Sequence, residues 1–253
     1  MAPEFEKIVL ADGRATLYRG DCRELLAAGL LKCDAVVADP PYGIGFQHSG
    51  GGIGGSVDSK ICVPKKDKIT GDDVAFEPAQ LLTLAPIAND GAQRIILFGA
   101  NNFLRKLPAS GTLLAWDKNL GHGPDDSFSD CEWLWCGRSV KRSVFRHLWK
   151  GVACKRDADD CSPTKGDKVH GGARFARAHV SQKPVALMRW CIQKLKPPPG
   201  GVILDPYAGS GSTGIAALSL GYRFTGVEID PGHFDTMRQR IEAWWAEHGS
   251  DAA

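Results

Sequence analysis

The sequence predicts an α/β fold, one domain on a largely parallel sheet, and three observations predict it. Short apolar runs alternate with helical stretches along the first half of the chain. Near the end, "GVILDPYAGSGSTGIAALSLGYRFTGVEID" reads as strand, glycine turn, helix and strand in direct succession. The 253 residues, 43% apolar and 24% charged, suit one substantial core.

Each element follows in order. "ATLYRGDC" predicts a short strand, "CRELLAAGL" a helix and "CDAVVADPP" a second strand. A helix is expected from Glu77 to Asn89, then a strand over "AQRIILFG". Another helix from Asn101 to Leu107 precedes the strand "GTLLAWD". "CEWLWCG" and "SVFRHLW" alternate in polarity as an antiparallel, half-open edge would. Between Gly43 and Val74 the periodicity stops among glycine clusters, so residues 43–75 are expected to form a mobile loop. It either closes over a ligand or stays disordered. Residues 137–178 are irregular and basic, and residues 179–253 hold the most legible unit. There, "SQKPVALMRWCIQKL" reads as a helix, "KPPPGG" as its breaker, and His233 to about Glu247 as a final helix.

Composition narrows the function classes. The start, "MAPEFEKIVLADG", carries acids and no apolar core, so it does not read as a secretory signal. No apolar run reaches membrane-spanning length, and a cytoplasmic location is expected. The 8 cysteines form no CxxC pair, which predicts reduced thiols. Cys131, Cys136, Cys154 and Cys161 lack the tight knuckle of a zinc site, so no metal is expected. Net charge is +2, yet Gly137 to Arg177 holds 11 basic against 4 acidic residues. A locally basic segment on an acidic body suits a polyanion, or a solvated loop.

The glycine turn points to a nucleoside-bearing cofactor. A strand runs into Asp205, and Gly209 and Gly211 let a ligand lie against backbone at a helix start. The next strand ends in Glu228 and Asp230, where a carboxylate can accept both ribose hydroxyls. Gly209-Ser210-Gly211-Ser212-Thr213-Gly214 fits the dinucleotide pattern literally. Asp205, however, is awkward beside a pyrophosphate and suits a cationic amino-acid moiety, which favours S-adenosylmethionine over a nicotinamide dinucleotide.

"DPPY", Asp39 to Tyr42, predicts a stiff acceptor pair at a strand end. Pro40 and Pro41 fix the backbone and free the carbonyls of Asp39 and Pro40 from a simple ladder. With the Asp39 carboxylate and the flat ring of Tyr42, they suit a planar heterocycle with an exocyclic amine. A plain proline turn with a surface tyrosine is the alternative.

Together, "DPPY" and "DPYAGSGSTG" resemble the amino-methyltransferases of DNA, in the circularly permuted beta-group order with the catalytic motif first. "YRGDC", "LLAWDK", "CEWLWCGR", "HVSQKPVALM" and "VEID" are similar to further family segments. The resemblance implies a Rossmann-like methyltransferase domain with a mixed, mostly parallel sheet and a small target-recognition insertion. It implies adenine-N6 methylation of duplex DNA from S-adenosylmethionine, because aspartate at the first motif position suits adenine where cytosine-N4 enzymes carry serine. Asp39, Pro40, Pro41 and Tyr42 would be catalytic.

Asp21 with Cys22 would contact the cofactor adenine, and Ser181, Gln182 and Lys183 its methionine end. Asp39, Asp205, Tyr207, Ala208, Gly209, Ser210, Gly211, Glu228, Ile229 and Asp230 would complete its site. Val180, Ser181 and Tyr207 depart mildly from the family pattern. The base would be flipped and stacked on Tyr42. Phosphate contacts are expected from Lys65, Lys66, Arg138, Lys141, Arg142, Arg146, Lys150, Lys155 and Arg156. A homodimer is expected, with "CEWLWCG" as an edge-strand contact. A DNA-binding relic without catalysis remains the rival class.

Overall fold

The computed structural model describes residues 5–44, 71–120, 129–150 and 182–249, and short strand pieces at 153–154, 168–169 and 172–173. The strands are β1 (Glu6–Leu10), β2 (Ala15–Arg19), β3 (Ala35–Ala38), β4 (Ile95–Phe98), β5 (Thr112–Asp117), β6 (Cys131–Cys136) and β7 (Val144–Arg146). Two small hairpins follow, β8 (Trp149–Lys150) with β9 (Ala153–Cys154) and β10 (Lys168–Val169) with β11 (Gly172–Ala173), before β12 (Val202–Asp205) and β13 (Arg223–Glu228). The helices are α1 (Cys22–Ala27), α2 (Ala79–Leu84), α3 (Val185–Leu195), α4 (Ser212–Ser219) and α5 (Pro231–His248).

The main sheet has the order β1-β2-β13-β12-β3-β4-β6-β5-β7. Pairing is parallel from β2 through β13, β12 and β3 to β4, and again between β5 and β7. Only β1 and β6 run against the rest. The fully apolar runs of β3 and β4 are what a parallel sheet buried on both faces requires. Side chains of β3 alternate between two cores. Ala35 and Val37 join a cluster with Ile192 of α3, Ile215 of α4 and Met237 of α5. Val36 and Ala38 join the opposite one, with Leu25 of α1, Leu81 of α2 and Phe103. The result is a sheet between two helical layers.

Four expectations are corrected. β1 closes a hairpin onto β2 through a turn with Ala11, Asp12 and Gly13 at positive φ, where no strand was expected. The helix expected over Glu77 to Asn89 stops at Leu84, because Pro86 cannot continue it. Asn101 to Leu107 forms two 3-10 turns rather than an α-helix, since Gly99 and Phe103 depart from helical backbone. "CEWLWCG" is not an edge: β6 lies between β4 and β5, and β7, parallel to β5, forms the margin.

This topology brings acids to one end of the sheet. Asp205 ends β12, Asp39 follows β3, Glu228 ends β13, Asp21 lies just past β2, and Asp117 ends β5. β12 and β3 are neighbours, but the chain leaves them toward opposite sides of the sheet. The carboxyl ends of strands at such a switch point form a crevice for ligands.

Candidate active site

The cofactor side is built by buried carboxylates that hold backbone. Asp205 accepts from the Tyr207 N–H at 3.0 Å and the Thr213 hydroxyl at 2.6 Å. Burial pushes its carboxyl up to about 7, despite those two hydrogen bonds. Glu228 accepts from the N–H groups of Gly209 and Asp230, each at 2.8 Å, and burial raises its pKa as well. Each oxygen retains a free lone-pair direction in this pattern, as a sugar hydroxyl needs.

The turn between them needs its glycines. Gly209 and Gly211 have φ of 52° and 81°, and a Cβ on Gly211 would lie 2.8 Å from Met237 Cγ. Ser210 is buried, and its carbonyl accepts from Arg240 Nη1 at 2.5 Å. The same nitrogen lies 3.1 Å from Ser210 Oγ and 3.3 Å from Ser212 Oγ. Arg240, itself 3% exposed, thus braces the turn from α5. Ala208 donates to Val227 at 2.9 Å, which ties the turn to β13.

The Tyr207 hydroxyl and the Cys22 thiol act on each other's charge, and burial raises both groups, the thiol to about 11. Asp21 caps α1 through the Arg23 N–H at 2.8 Å and pairs with the Arg23 guanidinium at 2.5 Å. That side-chain bond, foremost, lowers its pKa. Ile229 is 46% exposed beyond Glu228, and Asp230 caps α5 by accepting from the His233 N–H at 2.9 Å.

Across β12 lies the "DPPY" turn. The Tyr42 hydroxyl donates to Asp39 Oδ1 at 2.5 Å, and Lys183 Nζ donates to Asp39 Oδ2 at 2.5 Å. Burial, then the Asp39 charge, holds the Tyr42 phenol well above its ordinary range. Gly99 leaves room for that ring: a Cβ there would meet Tyr42 Cε1 at 2.1 Å, and its φ is 67°. The Gly43 N–H donates to Asp72 at 2.8 Å, fastening the turn to the far end of the loop.

Lys183 also lies 3.6 Å from Glu132 of β6, which pairs with Lys118 at 3.1 Å. Burial pulls the Lys183 ammonium toward neutrality, but Asp39 and Glu132 outweigh it and raise its pKa. Burial pushes Glu132 upward, and Lys183 with Lys118 reverses this to a net lowering. Gly99, Asp72 and Arg240 carry no motif of their own, while Lys118 and Glu132 lie in "LLAWDK" and "CEWLWCGR" without having been singled out.

The basic residues are divided. Arg146 ends β7 level with Asp117, 3.7 Å from its carboxylate, at the same end as Asp39. Arg138, Lys141 and Arg142 follow the opposite end of β6, and Arg138 pairs with Asp90 at 2.5 Å. Gln182 is buried, its carbonyl accepting from Trp149 Nε1 at 2.7 Å. Ser181, Lys65, Lys66, Lys155 and Arg156 lie outside the described residues, as does the side chain of Lys150. Among the described residues, no cluster of His, Cys, Asp and Glu forms a metal site, and no helix is long and apolar enough to cross a membrane.

Residues 109–239, just over half of the chain, match the N6/N4 family of DNA methylases. The chain belongs to the N6/N4 DNA methylase family. A stretch of 115 residues is 39% identical to the Type II methyltransferase M2.DpnII of Streptococcus pneumoniae, spanning 44% of this chain and 41% of that protein. Another of 67 residues is 39% identical to YubD of Escherichia coli strain K12, spanning 26% and 29%. The matches therefore cover less than half the length of these curated relatives. The fold is that of M1.HpyAVI in its SAM complex, with a TM-score of 0.53 at 20% identity over 90% of this chain and 98% of that one. It is also that of the cytosine-N4-specific PvuII DNA methyltransferase, with a TM-score of 0.50 at 12% identity over 94% and 92%.

Proposed function

We propose that this protein is a DNA adenine-N6 methyltransferase that uses S-adenosylmethionine and acts on an adenine flipped out of a duplex. The observation that carries the reading is the adjacency of two unlike acid sites on the neighbouring strands β3 and β12. Asp39 with its proline turn suits an amine, and Asp205 with Glu228 suits an ammonium and a ribose. The acidic acceptors at the glycine turn fit this cofactor, whose amino-acid and sugar groups want acceptors. Tyr207, Ala208, Gly209, Ser210 and Gly211 would line it, with Asp21 and Cys22 near its adenine. Gln182 and Lys183 would stand toward its methionine end.

When bound, S-adenosylmethionine supplies an electrophilic methyl group on a cationic sulfur. The remaining work falls to the chain. Asp39 and the Pro40 carbonyl accept the two N–H bonds of the amine, which frees a lone pair otherwise spread into the ring. As positive charge develops on that nitrogen, the Asp39 carboxylate stabilises it and takes up the departing proton. A carboxylate is too weak a base to deprotonate the neutral amine beforehand, so proton loss accompanies or follows methyl transfer. Tyr42 stacks on the flipped base, a contact worth about 1–3 kcal/mol.

The motif order supports the beta-group arrangement, since β3 precedes its sheet neighbour β12 in the chain. The loop of residues 43–75 and the basic region from Arg146 to residue 178 are proposed as DNA-facing segments, in a cytoplasmic enzyme that works as a homodimer. Asp39→Ala tests the catalytic assignment. Cofactor affinity should stay within about twofold while turnover falls at least 100-fold, on the order expected when a transition-state acceptor is removed. Unchanged turnover would refute the assignment.

A further inference from the structure

Both oxygens of Asp39 already have donors, Tyr42 on one and Lys183 on the other. A substrate amine therefore has to share an oxygen with one of them, on the second lone pair that a carboxylate oxygen carries. Lys183 has somewhere to go. Its Nζ lies 3.6 Å from Glu132 Oε2, a buried oxygen that has no hydrogen-bond donor among the described residues. The other oxygen of Glu132 is anchored by Lys118 at 3.1 Å. A shift of roughly 0.8 Å would bring Lys183 to the ~2.8 Å of a charge-assisted hydrogen bond with Glu132. Phe98 flanks the ammonium, its ring centroid 5.5 Å away.

We propose that Glu132 is a positioning residue that draws Lys183 toward itself, loosening its hold on Asp39 Oδ2 for the substrate amine and for its proton. The inference rests on the methyltransferase reading above. Charge balance supplies the second reason. During turnover an N–H bond of the methylated amine breaks and an O–H bond forms on Asp39, which removes that carboxylate's charge. Lys183, with its side chain only 10% exposed, would then be a buried cation without an anion. Glu132 keeps it paired through that step. Lys118 holds Glu132 in place, so that the network retains one cation for each anion before the proton moves.

The test uses Glu132→Gln, which keeps the shape and removes the charge, in the full-length protein. Wild-type and variant are assayed side by side for methyl transfer to duplex DNA. The expected result is a fall in kcat of about tenfold or more, with the KM for S-adenosylmethionine within about twofold. Glu132→Asp should recover part of the rate. In a Lys183→Met background the substitution should add no further loss, because its effect passes through that lysine.

A second readout needs neither DNA nor cofactor. In lysine 13Cε NMR of the free protein, Lys183 should deprotonate at lower pH in Glu132→Gln than in the wild type. If Glu132→Gln fails to fold, the charge-balanced pair Lys118→Met with Glu132→Gln is read in the same way. Absence of transfer by the wild type would sink the methyltransferase reading. Wild-type transfer undiminished in Glu132→Gln, an equal further loss in the Lys183→Met background, or an unmoved Lys183 titration would overturn the role of Glu132.

Discussion

Asp205 is 3% exposed, and burial pushes its carboxyl up to about 7, above the ordinary 3.8 it would have unfolded. A raised acid stabilises the fold below its unfolded pKa, and that contribution is lost as pH rises through about 7. A cationic ligand reverses the preference, because it binds the ionised form. Affinity for S-adenosylmethionine should therefore weaken as pH falls from 8 to 6, by up to about tenfold per unit. Calorimetry in buffers of different ionisation enthalpy would register the accompanying proton release. Asp205→Asn should flatten the dependence, and a flat wild-type profile would contradict this role. Gly99 supports a second prediction. Gly99→Ala would drive a methyl into the Tyr42 ring, in a left-handed conformation that costs roughly 1–2 kcal/mol for other residues. Displacing Tyr42 by about 1 Å should lower kcat on the order of 100-fold while leaving cofactor binding intact, as stopped-flow and titration would show. Asp39, Tyr42, Asp205 and Glu228 were legible in the sequence because each stands in a dense local motif. Glu132 and Lys183 were not legible as partners, since the fold, rather than their spacing in sequence, brings them together.

At the scale of elements, α5 does more than cover the sheet. Its Arg240 reaches the Ser210 carbonyl and the Ser210 and Ser212 hydroxyls, gripping the glycine turn from behind. Hydrogen bonds to a buried charge contribute about 1.5–3 kcal/mol each. Arg240→Met should cost about 3 kcal/mol in urea unfolding and weaken cofactor binding more than it changes kcat at saturation. Unfolding and binding both matching the wild type would remove Arg240 from this role. The final helix was expected from His233, but it begins at Pro231, where Asp230 caps it and a proline takes the first position. The stretch after α2 was misread because its apolar spacing is helical while Pro86 is not. β1 was missed because its residues are mostly exposed; its pairing with β2, more than its own pattern, makes it a strand.

For the whole molecule, the split of basic residues refines where a duplex would lie. Arg146 shares the end of the sheet that carries Asp39, whereas Arg138, Lys141 and Arg142 follow the other end of β6. Arg146→Gln should reduce the salt slope of DNA binding by about one, in fluorescence titrations across ionic strength. The Lys141→Gln, Arg142→Gln pair should change it less, and the reverse ranking would move the interface. Trp133, Val144 and Leu113 expose 44%, 45% and 38% of their surfaces on one face of β5, β6 and β7. That face, rather than an edge strand, is the proposed dimer contact, which should bury more than about 1,000 Å². Sedimentation should give twice the chain mass for the wild type and one chain for Trp133→Ser; a monomeric wild type, with and without DNA, would remove the dimer. The charge of the 137–178 segment was legible, but its division between two ends depends on the direction of β6 and β7. The central claim is tested most directly by incubating the protein with duplex DNA and methyl-labelled S-adenosylmethionine, then digesting the DNA to nucleosides. Label should appear in N6-methyldeoxyadenosine with the wild type and vanish with Asp39→Ala; label confined to N4-methyldeoxycytidine, or none with the wild type, would contradict it.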